Sequence, residues 1–235
     1  EAPPPGLTRD QVVFDINFQY ISLAMDRSSM FQTEMVSATR FLPVSLHYAL
    51  SLAAYFALAA APVFIPLYSG GWLTFQRRLR AAGRRTAAGC FSAVAAGVPA
   101  LLVFLLPTLV VAAGGRVTLP LMGAGLGMAL LCSLFCALCC LTAGSAAGCG
   151  VLAFGAALLS LALAGGIVPP VLLPGPVQEL GWLSPVTWLR QLAAWALGYP
   201  MEVSAWVCLA LAGVGMAALS LILYSRQVER EEVGP

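Results

Sequence analysis

An all-α polytopic membrane protein, a helical bundle of five visible spans with a pair of re-entrant external helices before the last one, is the fold class this sequence predicts. Three observations predict it. The chain is 60% hydrophobic and 9% charged, whereas soluble domains carry about 25% charged residues. No Asp, Glu, Lys or Arg occurs from Val117 to Gln178, a stretch far longer than the ~20 apolar residues one spanning helix needs. A separate uncharged run from Phe41 to Tyr68 precedes it, so apolar segments of spanning length recur along the chain.

Residues 1–40 read as part of an extracellular domain or linker. EAPPPG has the composition of a linker and no secretory signal follows it, so a longer protein is expected upstream of Glu1. Residues 7–40 hold four of the ten acids. In QVVFDINFQY, residues Val12, Phe14, Ile16, Phe18 and Tyr20 alternate with Val13, Asp15, Asn17 and Gln19 as in a half-buried strand, while Phe14, Phe18, Ile21 and Met25 also share a helical face. Both readings stay open, and either needs an aqueous folded region beside it.

The first span is 41–68, with Pro43, Pro62 and Pro66 near its ends. A basic loop at 69–85 follows, GWLTFQRRLRAAGRR, carrying Arg77, Arg78, Arg80, Arg84 and Arg85. The second span is 86–114, with a kink expected near Pro99 or Pro107, where a backbone donor is missing. Arg116 marks a tight loop, and the third span is 117–143. The small residues of AGSAAGCG, Ala143 to Gly150, predict a turn, and the fourth span is 150–166. The external segment covers 167–200, the fifth span 203–224, and residues 226–235 form a charged tail.

The arginines orient the bundle. With the 69–85 loop on the cytoplasmic side, it and the tail place Arg77, Arg78, Arg80, Arg84, Arg85, Arg226 and Arg230 inside. The opposite side holds Arg116 and Arg190 in short loops, and Arg9, Arg27 and Arg40 in the N-terminal region. The excess of basic residues on cytoplasmic loops supports this orientation. It puts residues 1–40 outside and the C-terminus in the cytoplasm.

Several function classes are excluded by composition. The twelve basic residues are all arginine, so a GxxxxGK[ST] phosphate loop is absent, and so is Schiff-base lysine chemistry. A net charge of +2 does not point to nucleic acid. Between Phe41 and Tyr224 the acids are Glu179 and Glu202, both at the outer edge. An ion-coupled carrier would place ionisable groups at membrane depth. His47, the single histidine, cannot make an HExxH pair and reads as an interfacial or packing residue.

Cys132, Cys136, Cys139 and Cys140 fall partly on one helix face and read as small packing residues, since no His or acid lies nearby. Gly123 and Gly127, like Gly144 and Gly148, fit small-xxx-small helix packing. The chain therefore holds no catalytic, cofactor-binding or metal-binding residues of its own. The arginine loop serves as a topology signal, as an attractor of anionic lipid, or as a docking surface. Its sequence can be helical, with Arg77, Arg80 and Arg84 on one face.

The external segment LPGPVQELGWLSPVTWLRQL, residues 173–192, carries helix breakers and two tryptophans. Val177 to Leu183 can form a short helix. Ser184 and Pro185 make a helix start, serine as N-cap and proline at the first helical position. Trp188, Leu192 and Trp195 then form an apolar face while Arg190 and Gln191 point elsewhere. Trp182, Trp188, Trp195 and Tyr199 suit a membrane–water boundary. Two short re-entrant helices capping the bundle are expected.

These residues carry a resemblance. A glycine- and proline-rich lead-in, "VQELGWL", then "SPVTWLRQL" and a last span closely resemble the final external segment of ABC-2-type transporter permeases, whose LxxLxPxTxxxxxL-like stretch matches Leu180, Leu183, Pro185, Thr187 and Leu192. FQRRLRAAGRRTAAGC is similar to that family's cytoplasmic coupling region, although the acids frequent there are missing between Tyr68 and Cys90. The resemblance covers residues 41–225.

It implies a first span upstream of Glu1, hence six in all, and residues 1–40 as the remainder of an external domain. It also implies a bacterial cell membrane location, a second permease copy or paralogue, and a cytosolic ABC ATPase holding ATP and Mg. Arg77, Arg78, Arg80, Arg84 and Arg85 would then couple to the ATPase. Leu180, Trp182, Leu183, Pro185, Thr187, Trp188 and Leu192 would form an external gate. Export of a hydrophobic or amphipathic substrate follows as the expected function, and a non-transporting membrane scaffold or assembly subunit is the alternative.

Overall fold

The computed structural model describes residues 42–68, 74–75, 78, 82–83, 85–143, 145–168, 173–201 and 203–233. The chain divides into two compact units, Glu1–Arg40 and Phe41–Pro235, and the described residues belong to the second. The strand-or-helix alternative at residues 11–20 lies outside them.

Seven α-helices and two 3-10 helices make up the described residues, and no strand occurs among them. In order they are α1 (Val44–Ala59), a 3-10 helix (Ala61–Leu67), α2 (Thr86–Ala112), α3 (Leu119–Ala143), α4 (Ala146–Leu163), α5 (Gly175–Leu180), a 3-10 turn (Gly181–Leu183), α6 (Pro185–Ala196) and α7 (Val203–Val233). Five helical stretches are long and apolar enough to cross a membrane: Ser45–Leu67, Thr86–Ala112, Leu119–Ala143, Ala146–Leu163 and Val203–Glu229. This is the composition of an integral membrane protein.

The expected boundaries shift for local reasons. The first span changes from α- to 3-10 helix near Pro62, which lacks the N–H that would continue the α ladder. The second span runs as one element through Pro99 and Pro107. The turn expected at 143–150 is much shorter, because Ser145 is an N-cap whose hydroxyl accepts the Gly148 N–H at 3.1 Å. Gly148, Cys149 and Gly150 are therefore helical, and the fourth span begins at Ala146 rather than 150. The charged tail is also helical: α7 continues without a break to Val233.

Small residues line much of the buried faces of α3 and α4. In α4 the buried face is Cys149, Ala153, Ala157 and Ser160, while Val151, Leu152, Phe154, Leu158 and Leu159 are exposed. In α3, Ala124, Gly125, Ala129, Cys132, Ser133 and Ala137 face inward together with Leu121, Met128, Leu134 and Leu141, and Met122, Leu126 and Leu130 face out. Lipid is as apolar as leucine, so association rests on close backbone approach, which small residues allow. Gly97 of α2 shows why: a Cβ there would lie 2.6 Å from the Ser133 hydroxyl and 3.4 Å from the Phe64 ring. That hydroxyl donates to the Val94 carbonyl at 2.7 Å, tying α3 to α2.

The small-xxx-small expectation is corrected in one register. Gly123 has open space where a side chain would project, whereas Gly125 packs against Leu106 and Leu109, and Gly127 against Leu192. α3 is the hub: it packs on α1, α2, α4, α6 and α7. Of its most apolar stretch 67% is buried, against 11% for α7, which lies at the rim.

Contacts between helix ends fix their alternating directions. At one end His47, near the start of α1, meets Gly165 just after α4. At the other, the Cys140 thiol near the end of α3 lies 3.3 Å from the Ala61 carbonyl and 3.5 Å from the Cys149 sulfur, and Gln227 of α7 donates to the Leu141 carbonyl at 2.9 Å.

Candidate functional site

The C-terminus of α4 is where chemistry concentrates. Gly165 takes a left-handed φ of 71°, which closes the helix in a Schellman turn: Gly166 N–H donates to the Leu161 carbonyl at 2.9 Å and Gly165 N–H to Ala162 at 3.1 Å. The turn satisfies those carbonyls and leaves Ala164 and Gly165 presenting acceptors at the negative end of the helix dipole.

Arg190 fills that position. Its Nη1 donates to the Ala164 carbonyl at 2.8 Å and lies 3.3 Å from both the Ser51 hydroxyl and His47 Nε2. His47 Nε2 is in turn 3.2 Å from the Gly165 carbonyl. Arg190 is 7% exposed, His47 4% and Ser51 0%, so a cation sits in the interior against neutral groups and a helix end. Among the described residues it is the one buried side chain that carries a permanent charge. Burial lowers its pKa to about 10, which keeps the guanidinium charged at neutral pH.

This corrects the sequence reading in two respects. Arg190 is not in a short loop, since it lies in mid-α6. Val186, Leu189, Arg190 and Ala193 of α6 are buried, and of the expected apolar face only Leu192 is, since Trp188 is half-buried and Trp195 is 37% exposed. Hydropathy ranks the tryptophan face above the arginine face. The guanidinium wins because only the interior supplies its acceptors, and a tryptophan gains as much from lipid as from protein. The overlooked signal was one arginine in a short apolar helix, flanked by Val186, Leu189 and Ala193 at helical spacing.

The expected gate residues divide by position. Thr187 and Leu192 are buried, Pro185 and Trp188 half-buried, and Leu180, Trp182 and Leu183 exposed. Local bonds shape the segment: the Thr187 hydroxyl donates to the Gly181 carbonyl at 2.8 Å, and the Trp188 indole N–H donates to the Trp182 carbonyl. Pro185 opens α6 as expected. Ser184 occupies the N-cap position, yet its hydroxyl donates to the Ser160 carbonyl of α4 at 2.6 Å and makes no cap bond. It therefore fastens α6 to a neighbour instead of finishing its own helix.

α6 also reaches well into the bundle. Pro185, Trp188 and Leu189 surround a small void with Leu58, Phe135 and Met216, and the chain beyond the helix returns to Tyr199. Tyr199 lines an open groove of about 730 Å³ with Pro43, Leu46, Leu50, Pro107 and Val111. The groove is mostly apolar, with Ser45 and Thr108 as its polar side chains apart from Tyr199.

Of the expected coupling residues, Arg78 and Arg85 are exposed, and Arg77, Arg80 and Arg84 lie outside the described residues. Thr74, Phe75 and Arg78 are helical, and Ala82 N–H donates to the Arg78 carbonyl at 3.1 Å. The cysteines of α3 are buried, and among the described residues no cluster of three or more His, Cys, Asp or Glu side chains is placed to hold a metal ion. Comparison with protein-family models, curated proteins and solved structures finds no match to this chain.

Proposed function

We propose that the chain is the transmembrane subunit of an ABC-2-type exporter, moving a hydrophobic or amphipathic substrate with energy from a separate cytosolic ATPase. The observation that carries this reading is the α5–α6 pair, two short helices before the last apolar helix, the second keyed into the bundle by Arg190, Ser184 and Leu192. A re-entrant cap of this kind is what the ABC-2 resemblance implies at these residues. The 730 Å³ groove beside Tyr199 offers apolar contact area at that same end, as an amphipathic cargo requires.

In this reading the end holding Arg190 faces outward, and the basic segment around Arg78 and Arg85 faces the cytoplasm. Two permease chains flank a central pathway, and closure of the ATPase on ATP and Mg is transmitted through Arg77 to Arg85. This chain's own residues supply the path and the external cap.

The test is gentle extraction into lipid, identification of any co-eluting cytosolic ATPase, and its hydrolysis rate across amphipathic compounds. We expect co-elution, with stimulation by at least one compound, and loss of association in a variant carrying Arg77→Ala, Arg78→Ala and Arg80→Ala. Unchanged association and transport in that variant would refute the docking role of the loop. A chain that elutes alone would leave the scaffold reading in its place.

A further inference from the structure

One imidazole nitrogen at the end of α4 faces two incompatible neighbours. His47 Nε2 is 3.3 Å from Arg190 Nη1, which brings a hydrogen, and 3.2 Å from the Gly165 carbonyl, which brings a lone pair. A neutral ring satisfies one of them, through whichever tautomer it adopts. Its Nδ1 is buried with no partner in either case.

Protonation changes the balance. Both ring nitrogens then carry hydrogen, Nε2 turns to the Gly165 carbonyl, and the ring presents positive charge 3.3 Å from a buried guanidinium. Two cations then contend for one helix C-terminus, in an interior where charge is poorly screened.

Among the described residues no buried acid offers a counter-charge, and Glu179 of α5 is exposed. α1, α2, α3, α4 and α6 contain no Asp, Glu or Lys, and Arg190 is the one arginine among them. From α6 the ring faces Arg190, and from just past the end of α4 the carbonyl of Gly165. Within α1 it stands in a T-shaped pair with the Tyr48 ring, centroids 5.2 Å apart. The charged residues of α7 lie at the opposite end, where Gln227 meets Leu141.

We propose that His47 is a proton-operated release for α6: the neutral ring lets Arg190 seat on the C-terminus of α4, and the protonated ring displaces it and frees α6 from α1 and α4. The device needs no transport activity and stands independently of the exporter reading. It is also well isolated, because the chain has a single histidine and no other side chain ordinarily titrates between pH 5 and 7.5.

The experiment is amide hydrogen exchange of residues 186–196 in the full chain held in lipid nanodiscs, wild type against His47→Gln, at pH 7.5 and pH 5.0. Glutamine offers a neutral acceptor to Arg190 and a neutral donor to Gly165, and the ratio of the two proteins at one pH cancels the chemical exchange rate. We expect a ratio near one at pH 7.5 and about tenfold faster exchange of the wild type at pH 5.0. The same ratio at both pH values overturns the proposal. Arg190→Gln supplies a second arm: a neutral donor to Ala164 remains but the repulsion is gone, so the acid response should vanish, and its persistence also overturns the proposal. If Arg190→Gln does not fold, the His47→Gln ratio decides alone.

Discussion

Arg190 is held by acceptors that nothing else on α6 can use, so its removal leaves the end of α4 without its donor and a gap where the side chain ran. Arg190→Ala should lower stability by about 2–3 kcal/mol, the range for losing a charge-assisted bond and orphaning its acceptor. Thermal unfolding in nanodiscs checks it. Arg190→Lys should recover only part, since an ammonium is more strongly hydrated than a guanidinium and costs more to bury. The sequence made this residue visible but gave its place wrongly. Counting it with the loop charges followed from the positive-inside rule, which assumes that charges sit in loops. The position of His47 beside it had no sequence signal, because the two are 143 residues apart.

The order of the helices was legible, because each uncharged run exceeded the length a bilayer demands. Their ends were less so: Ser145 as N-cap and the helical continuation past Arg226 are settled by single bonds and by propensity in water, not by hydropathy. The inward faces were legible in principle. The sequence Cys149, Ala153, Ala157, Ser160 is a small-residue stripe at helical spacing, but polarity patterns do not reveal it when both faces are apolar. Size discrimination gives a direct test at the α2–α3 contact. Gly97→Ala forces a methyl against the Ser133 hydroxyl and should cost about 1–3 kcal/mol. Combining it with Ser133→Ala should return a substantial part of that loss, a coupling read from a double-mutant cycle in unfolding free energy. Simple additivity of the two substitutions would show that the contact relaxes freely.

At the level of the whole molecule the decisive claim is the alternation of helix direction. Arg85 and Arg116 bracket α2 and are both exposed, so Arg85→Cys and Arg116→Cys should react with an impermeant maleimide from opposite sides of a sealed vesicle. Labelling of both from one side would mean that α2 does not cross. The native thiols interfere little, since Cys90 and the cysteines of α3 and α4 are buried and Cys208 is half-buried. The basic loop was the clearest charge signal in the sequence, yet three of its five arginines fall outside the described residues, so the reading of it rests on Arg78 and Arg85.

The bonds at the end of α4 also impose a timetable. The acceptors of Ala164 and Gly165 and the ring of His47 leave the ribosome well before Arg190 does, and their mutual arrangement is of long range in the chain. A nascent bundle that has laid down α1 to α4 holds an unfilled polar notch facing lipid, and it cannot close until α6 swings back into it. Insertion of the first four helices is thus a local, sequential matter, whereas consolidation is a late event with a large loop to close.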